Sequence, residues 1–110
     1  MKVIYTTETF DHWFAGLRDG VAARRIQARI DRAEGGHFGD CEPVGEGVSE
    51  MRIHYGPGYR VYFAQHGMDI VILLAGGDKS TQSGDIKTAL DLARQVKERK
   101  ERQSWKPLSN

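Results

Sequence analysis

Two arginines, a histidine and a tyrosine stand at two-residue spacing on either side of a tight turn: Arg52 and His54 before Gly56-Pro57-Gly58, Arg60 and Tyr62 after it. The flanking runs, Val48 to Tyr55 and Tyr59 to Gln65, are rich in β-branched and aromatic residues, so the segment reads as a β-hairpin. A three-residue loop of Gly56, Pro57 and Gly58 sets Tyr55 opposite Tyr59, His54 opposite Arg60, Ile53 opposite Val61 and Arg52 opposite Tyr62. Strand side chains alternate between faces, so Met51, Ile53, Tyr55, Tyr59, Val61 and Phe63 share one face while Arg52, His54, Arg60 and Tyr62 share the other. Four polar groups then converge within roughly 5–8 Å of one another.

Metal-free cleavage of RNA requires a ribose 2′-hydroxyl to lose its proton, the phosphate charge to be neutralised and the departing 5′-oxygen to be protonated. An arginine fork is always charged and can bond two phosphate oxygens at once, which makes Arg60 and Arg52 candidates for the phosphate. Histidine exchanges protons near neutrality and tyrosine is a natural donor, so either His54 or Tyr62 suits the acid. The same four residues also fit a plain solvent-facing row with cross-strand cation–π pairing.

A second polar run follows the next apolar segment: Gly76-Gly77-Asp78-Lys79-Ser80-Thr81-Gln82-Ser83-Gly84-Asp85. It is not a nucleotide-binding P-loop, because Asp78 and Leu73 stand where that motif needs glycine. Two readings remain. One is a glycine-permitted turn in which Ser80 or Ser83 caps a helix; the other brings Lys79 and Gln82 to the arginine patch. The remaining histidines, His12, His37 and His66, lack metal-ligand spacing, and no metal or other cofactor is expected. Cys41 lies between Asp40 and Glu42, which raise a thiol pKa, and the absence of a second cysteine excludes an internal disulfide and fits a reducing cytoplasm.

The elements that must position these groups follow from periodicity. Lys2 to Thr6 predicts a strand, and Thr7 caps a helix carrying Phe10, Trp13, Phe14 and Leu17. After Asp19-Gly20 a second helix sets Ala22, Ile26, Ile30 and Ala33 on one face and Arg18, Arg25, Arg29 and Arg32 on another, stopping at Gly35-Gly36. That arginine stripe is a candidate for RNA phosphate contacts, or simply a solvated face. Ile70 to Ala75 shows no polar alternation and predicts a strand buried on both faces at the centre of the sheet. A last helix places Ile86, Ala89, Leu90, Ala93 and Val96 on one side. The prediction is one α+β domain over residues 1–104 with a tail over 105–110.

With 110 residues, 39% of them hydrophobic, the chain suits one folded domain. Net charge is +1, yet residues 36–78 carry two basic and six acidic groups whereas 79–110 carry eight and four. The basic last third is compatible with a polyanionic partner. Neither an apolar leader run nor a membrane-length apolar stretch is present, so a cytoplasmic protein without membrane contact is expected.

Four segments carry a family resemblance: Gly39-Asp40, Pro43 to Ile53, Gly56 to Tyr62, and Leu73 to Gln82. Together they resemble the HigB-like (Gp49-like) addiction-module killer branch of the RelE/ParE toxin superfamily. The resemblance implies a β-α-α-β-β-β-α fold whose mainly antiparallel sheet packs against a helical hairpin. It also implies a type II toxin held by a cognate helix-turn-helix antitoxin, reaching operator DNA only through that partner. By likeness to RelE, the activity is metal-independent endonucleolytic cleavage of mRNA on the ribosome. Arg60 then stabilises phosphate, Arg52 and Lys79 support it with Lys79 a candidate base, and Tyr62, His54 or Gln82 serves as acid or positioning group. ParE relatives instead poison DNA gyrase by binding, which is the alternative activity.

Overall fold

The computed structural model describes residues 1–99. The tail expected over 105–110 and the domain end expected at 104 lie outside the described residues. Strand β1 (Val3–Thr6) is followed by helices α1 (Glu8–Ala15) and α2 (Gly20–Glu34). Strands β2 (Cys41–Gly45), β3 (Val48–Ile53), β4 (Tyr59–His66) and β5 (Ile70–Asp78) come next, then a 3-10 turn (Lys79–Thr81) running into α3 (Gln82–Arg99). The α+β order agrees with the predicted one except for β2. That strand eluded periodicity because Glu42 and Pro43 interrupt it; it lies at the sheet edge, where a proline's missing N–H costs no ladder bond.

The sheet order is β1-β5-β4-β3-β2, with β1 parallel to β5 and every other pair antiparallel. Strand β5 is interior and buried on both faces as expected, yet β4 occupies the middle. Burial on two faces reports helices above and below a strand, not its rank in the sheet. Phe10 of α1 and Ile26, Ile30 and Ala33 of α2 pack with Met51, Ile53, Val61, Phe63, Val71 and Leu73 on one face. On the other, Ala89 and Val96 of α3 pack with Val48, Tyr62, Ile72, Leu74 and Ala75.

One irregularity shapes the second half of β5. Tyr62 pairs with Ala75 but Phe63 pairs with Leu73, so Leu74 is an extra residue, a β-bulge. Its backbone is held by Thr7, whose N–H donates to Leu73 O at 3.1 Å and whose hydroxyl donates to Leu74 O at 2.7 Å. The same hydroxyl accepts from Phe10 N at 3.1 Å, so the predicted cap of α1 also ties the helix to the bulge.

Gly76 and Gly77, expected in a turn, instead continue β5 without positive φ. They are glycine because the space is taken: a Cβ on Gly76 would lie 2.2 Å from Trp13 Cε3, and one on Gly77 would lie 1.8 Å from Asp85 Oδ2. The chain turns only after Asp78, which caps the 3-10 turn by accepting from Ser80 N at 2.8 Å. Neither Ser80 nor Ser83 has the predicted capping role there, because Asp78 is already placed one turn earlier. Replacing Gly76 by alanine must displace the Trp13 ring and is expected to destabilise by about 1–3 kcal/mol. A thermal melt of Gly76→Ala checks this, and adding Trp13→Leu should recover part of the loss.

Candidate functional site

The β3–β4 turn is longer than the glycines alone suggest. Ile53 pairs with Tyr59, Arg52 with Arg60, Met51 with Val61 and Glu50 with Tyr62, so His54 to Gly58 form the loop. Tyr55 N donates to Ile53 O at 2.9 Å, and Gly58 N donates to Tyr55 O at 3.1 Å, closing the loop around Gly56 and Pro57. Gly56 and Gly58 take φ of 57° and 81°, conformations that favour glycine. The partners differ from the expected register by two residues, which preserves the faces because side-chain alternation has period two. The consequence falls on His54: it leaves the ladder and stands 75% exposed at the rim.

Behind the rim, Glu50 gathers the polar groups of this face. It is 2% exposed. Its Oε2 lies 3.2 Å from Arg52 Nε, while Oε1 accepts from Gln82 Nε2 at 2.8 Å and from the Tyr62 hydroxyl at 3.2 Å. Arg60 Nε lies 3.6 Å from the same Oε1. Burial pushes the Glu50 carboxyl up, but the Gln82 and Arg52 hydrogen bonds, the Arg60 charge and the Tyr62 hydroxyl outweigh it and hold the group below its ordinary value. Tyr62 is fully buried, and burial together with the adjacent Glu50 charge drives its phenol far above the ordinary tyrosine range.

In front lies an open cleft of about 420 Å³, lined by Arg52, His54, Tyr55, Pro57, Arg60 and Lys79 among others. The turn holds its two sides together: Gly58 O accepts from Arg60 Nη1 at 2.7 Å, and Pro57 O accepts from Lys79 N at 3.4 Å. The Lys79 side chain is exposed, and its ammonium has no polar partner among the described residues. Arg52 is more fully neutralised, meeting Glu42 and lying 3.7 Å from Asp40 besides Glu50. His54 Nε2 lies 2.5 Å from Asp40 Oδ2. That contact, with Arg52 nearby, holds the Asp40 carboxyl below its ordinary value. The arrangement can bind an anion through Arg60 and Lys79 and present an oriented imidazole beside it.

Residues 12–105 match the family described as phage-derived protein Gp49-like, a span that contains the hairpin, the cleft and α3. The chain belongs to the Gp49-like family. That family falls within the RelE/HigB-like toxin group. The chain is also 50% identical over 93 residues to a Haemophilus influenzae protein described as uncharacterized, covering 84% of this chain and 94% of that one.

Within this Gp49-like fold, Arg52, His54, Arg60 and Lys79 of the sequence-predicted site meet around one cleft, while Tyr62 and Gln82 stand behind it on Glu50. Tyr62 was expected on an accessible row, but α3 covers that part of the face. The α2 arginines divide. Arg25 stacks 4.9 Å over the Tyr55 ring, whose hydroxyl donates to Asp19 at 3.0 Å, so it buttresses the rim. Arg29 turns inward and donates to the carbonyls of Arg52 and Phe38. Arg32 is exposed on α2.

Sequence reasoning missed Glu50 and Asp40. Glu50 had a signal: it lies two residues before Arg52 and so belongs to the same polar face. Asp40 belongs to the Gly39-Asp40 segment of the family resemblance, but its approach to His54 depends on β2 and is not legible in the sequence. Among the described residues no three His, Cys, Asp or Glu side chains are grouped to hold a metal, and no described helix is long and apolar enough to cross a membrane. Cys41 donates to Phe38 O at 3.2 Å, and burial raises its thiol pKa.

The depressed Glu50 pKa fixes a pH dependence. Its stabilising contribution is complete above the ordinary value of 4.5 and is lost as pH falls through the lower folded-state value. Urea midpoints measured from pH 7 to pH 3 should therefore fall steeply at the acid end for the wild type, and less steeply for Glu50→Gln.

Proposed function

We propose that this chain is the toxin of a type II toxin–antitoxin pair and a ribosome-dependent endoribonuclease that cleaves mRNA without a metal ion. The observation that carries the reading is the cleft in which Lys79, without an ionic partner among the described residues, and Arg60, backed by Glu50, stand beside an imidazole oriented by Asp40. A phosphodiester fits the two cations, and the ribose next to it supplies the nucleophile.

In this mechanism the 2′-hydroxyl loses its proton, its oxygen attacks phosphorus and the bond to the 5′-oxygen breaks. The departing oxygen takes a proton, leaving a 2′,3′-cyclic phosphate and a 5′-hydroxyl. Arg60 stabilises charge on the phosphate oxygens, a type of contribution worth on the order of 10²–10³ in rate. Lys79 is the candidate base as the free amine, which takes the 2′-hydroxyl proton and thereby becomes a second cation beside the phosphate. His54 gives the proton to the leaving oxygen, with Asp40 fixing its ring. Tyr62, buried and bonded to Glu50, supports the cluster. The partner is a helix-turn-helix antitoxin that carries the toxin to operator DNA, and the site of action is the cytoplasm, where ribosomes and mRNA are found.

Induction of the protein alone in bacteria, followed by mapping of 5′ ends, tests this reading. Cuts are expected in a translated message, absent when its start codon is removed, and lost with Arg60→Ala although that variant still binds its antitoxin. Growth arrest without any cuts contradicts the nuclease and moves gyrase binding to the front.

A further inference from the structure

We propose that Glu50 and Gln82 form a positioning pair that keeps Arg60 aimed at the cleft with no hydrogen bond to Glu50. Its consequence for cleavage rate rests on the nuclease reading above; its consequence for the Arg60 side chain does not.

Arg52 and Arg60 are direct register partners on the same face of β3 and β4. Like charges so placed repel, and a buried carboxylate between them removes the conflict. A carboxylate is costly to bury unless charges and hydrogen bonds surround it, as they do here. The two oxygens are used unequally. Oε2 faces Arg52 Nε at 3.2 Å. Oε1 already accepts from Gln82 at 2.8 Å and from Tyr62 at 3.2 Å, and Arg60 Nε stands off at 3.6 Å.

The result is an unusual atom. Arg60 Nε is a buried side-chain nitrogen with no hydrogen-bond partner among the described residues. Buried donors are nearly always satisfied, and an exception asks for a reason. Gln82 supplies it by competing for the oxygen that Arg60 would otherwise bond. Arg60 is therefore drawn toward Glu50 by charge and tethered through Nη1 to Gly58 O, while the rest of its fork stays uncommitted. Bonded to Glu50, the guanidinium would be pulled back from the cleft; without Glu50, it would lose its direction.

Two variants push Arg60 in opposite directions. In Gln82→Met the competitor is gone, and Arg60 Nε should bond Oε1. In Glu50→Gln the charge is gone, and Arg60 should loosen. The first readout is the Arg60 Nε–H resonance by NMR, with its solvent-exchange rate. The second is the affinity for inorganic phosphate from shifts of that resonance, and the third is cleavage of a translated mRNA on purified ribosomes.

Gln82→Met should slow exchange and weaken phosphate binding. Glu50→Gln should speed exchange and leave phosphate binding as tight as wild type or tighter. Both should cut roughly 10- to 100-fold more slowly, the scale of a misplaced catalytic group. A thermal melt identifies variants that merely fail to fold, and for these Tyr62→Phe, which also frees Oε1, replaces Gln82→Met with the same expectation. Unchanged or same-direction exchange in the two variants overturns the proposal, as does wild-type cleavage in both. A wild type that cuts no RNA ends the nuclease reading, and the exchange and phosphate measurements still decide the arrangement around Arg60.

Discussion

Glu50, buried between Arg52 and Arg60 at the open end of the sheet, imposes conditions that much of the surrounding fold meets. A carboxylate removed from water needs charge and hydrogen bonds from several directions. Strand β3 supplies Arg52, β4 supplies Arg60 and Tyr62, and the first residue of α3 supplies Gln82. Gln82 arrives there because the Asp78-capped turn redirects the chain immediately after β5. Helix α3 then runs back across the sheet and seals this face with Ala89 and Val96. Burial, charge balance and helix placement are thus parts of one arrangement.

The same end of the molecule shows how backbone detail becomes site geometry. The bulge at Leu74 places Leu74 and Ala75 under α3 and leaves Gly76 and Gly77 beside Trp13 and Asp85. Thr7 fastens the bulge to the start of α1, linking the first helix to the strand that delivers Lys79. On the opposite side, Arg29 braces the carbonyls of Phe38 and Arg52, and so fixes the segment that carries Asp40 to His54. The cleft is open to solvent, but its walls belong to elements packed on the two cores.

Much of this was legible in the residues. Periodicity located four of the five strands and all three helices, and alternation assigned the residues of β3 and β4 to their proper faces. The partners across the hairpin were not legible, because Gly56, Pro57 and Gly58 suit both a three-residue and a five-residue loop, and the choice lies in backbone bonds at Ile53 and Tyr55. Strand β2 was hidden by Glu42 and Pro43, and with it the approach of Asp40 to His54. Glu50 was overlooked because an acidic residue in a strand ordinarily marks a solvent-facing position, and only the packing of α3 reveals that this one is enclosed. Gly76 and Gly77 looked like a turn for the same reason: sequence shows the missing side chains but not the Trp13 ring and the Asp85 carboxylate that occupy their space.

The central claim is that the cleft performs metal-free transesterification, with Arg60 on the phosphate and the ribose 2′-oxygen as nucleophile. Its most direct test is chemical analysis of the RNA ends produced by the purified protein on a programmed ribosome in the presence of EDTA, using a message with or without a 2′-deoxy nucleotide immediately 5′ of the cut. The account predicts 5′-hydroxyl and 2′,3′-cyclic phosphate ends that persist in EDTA and vanish at the deoxy position. Ends bearing 5′-phosphate, or cleavage that survives loss of the 2′-hydroxyl, would contradict it.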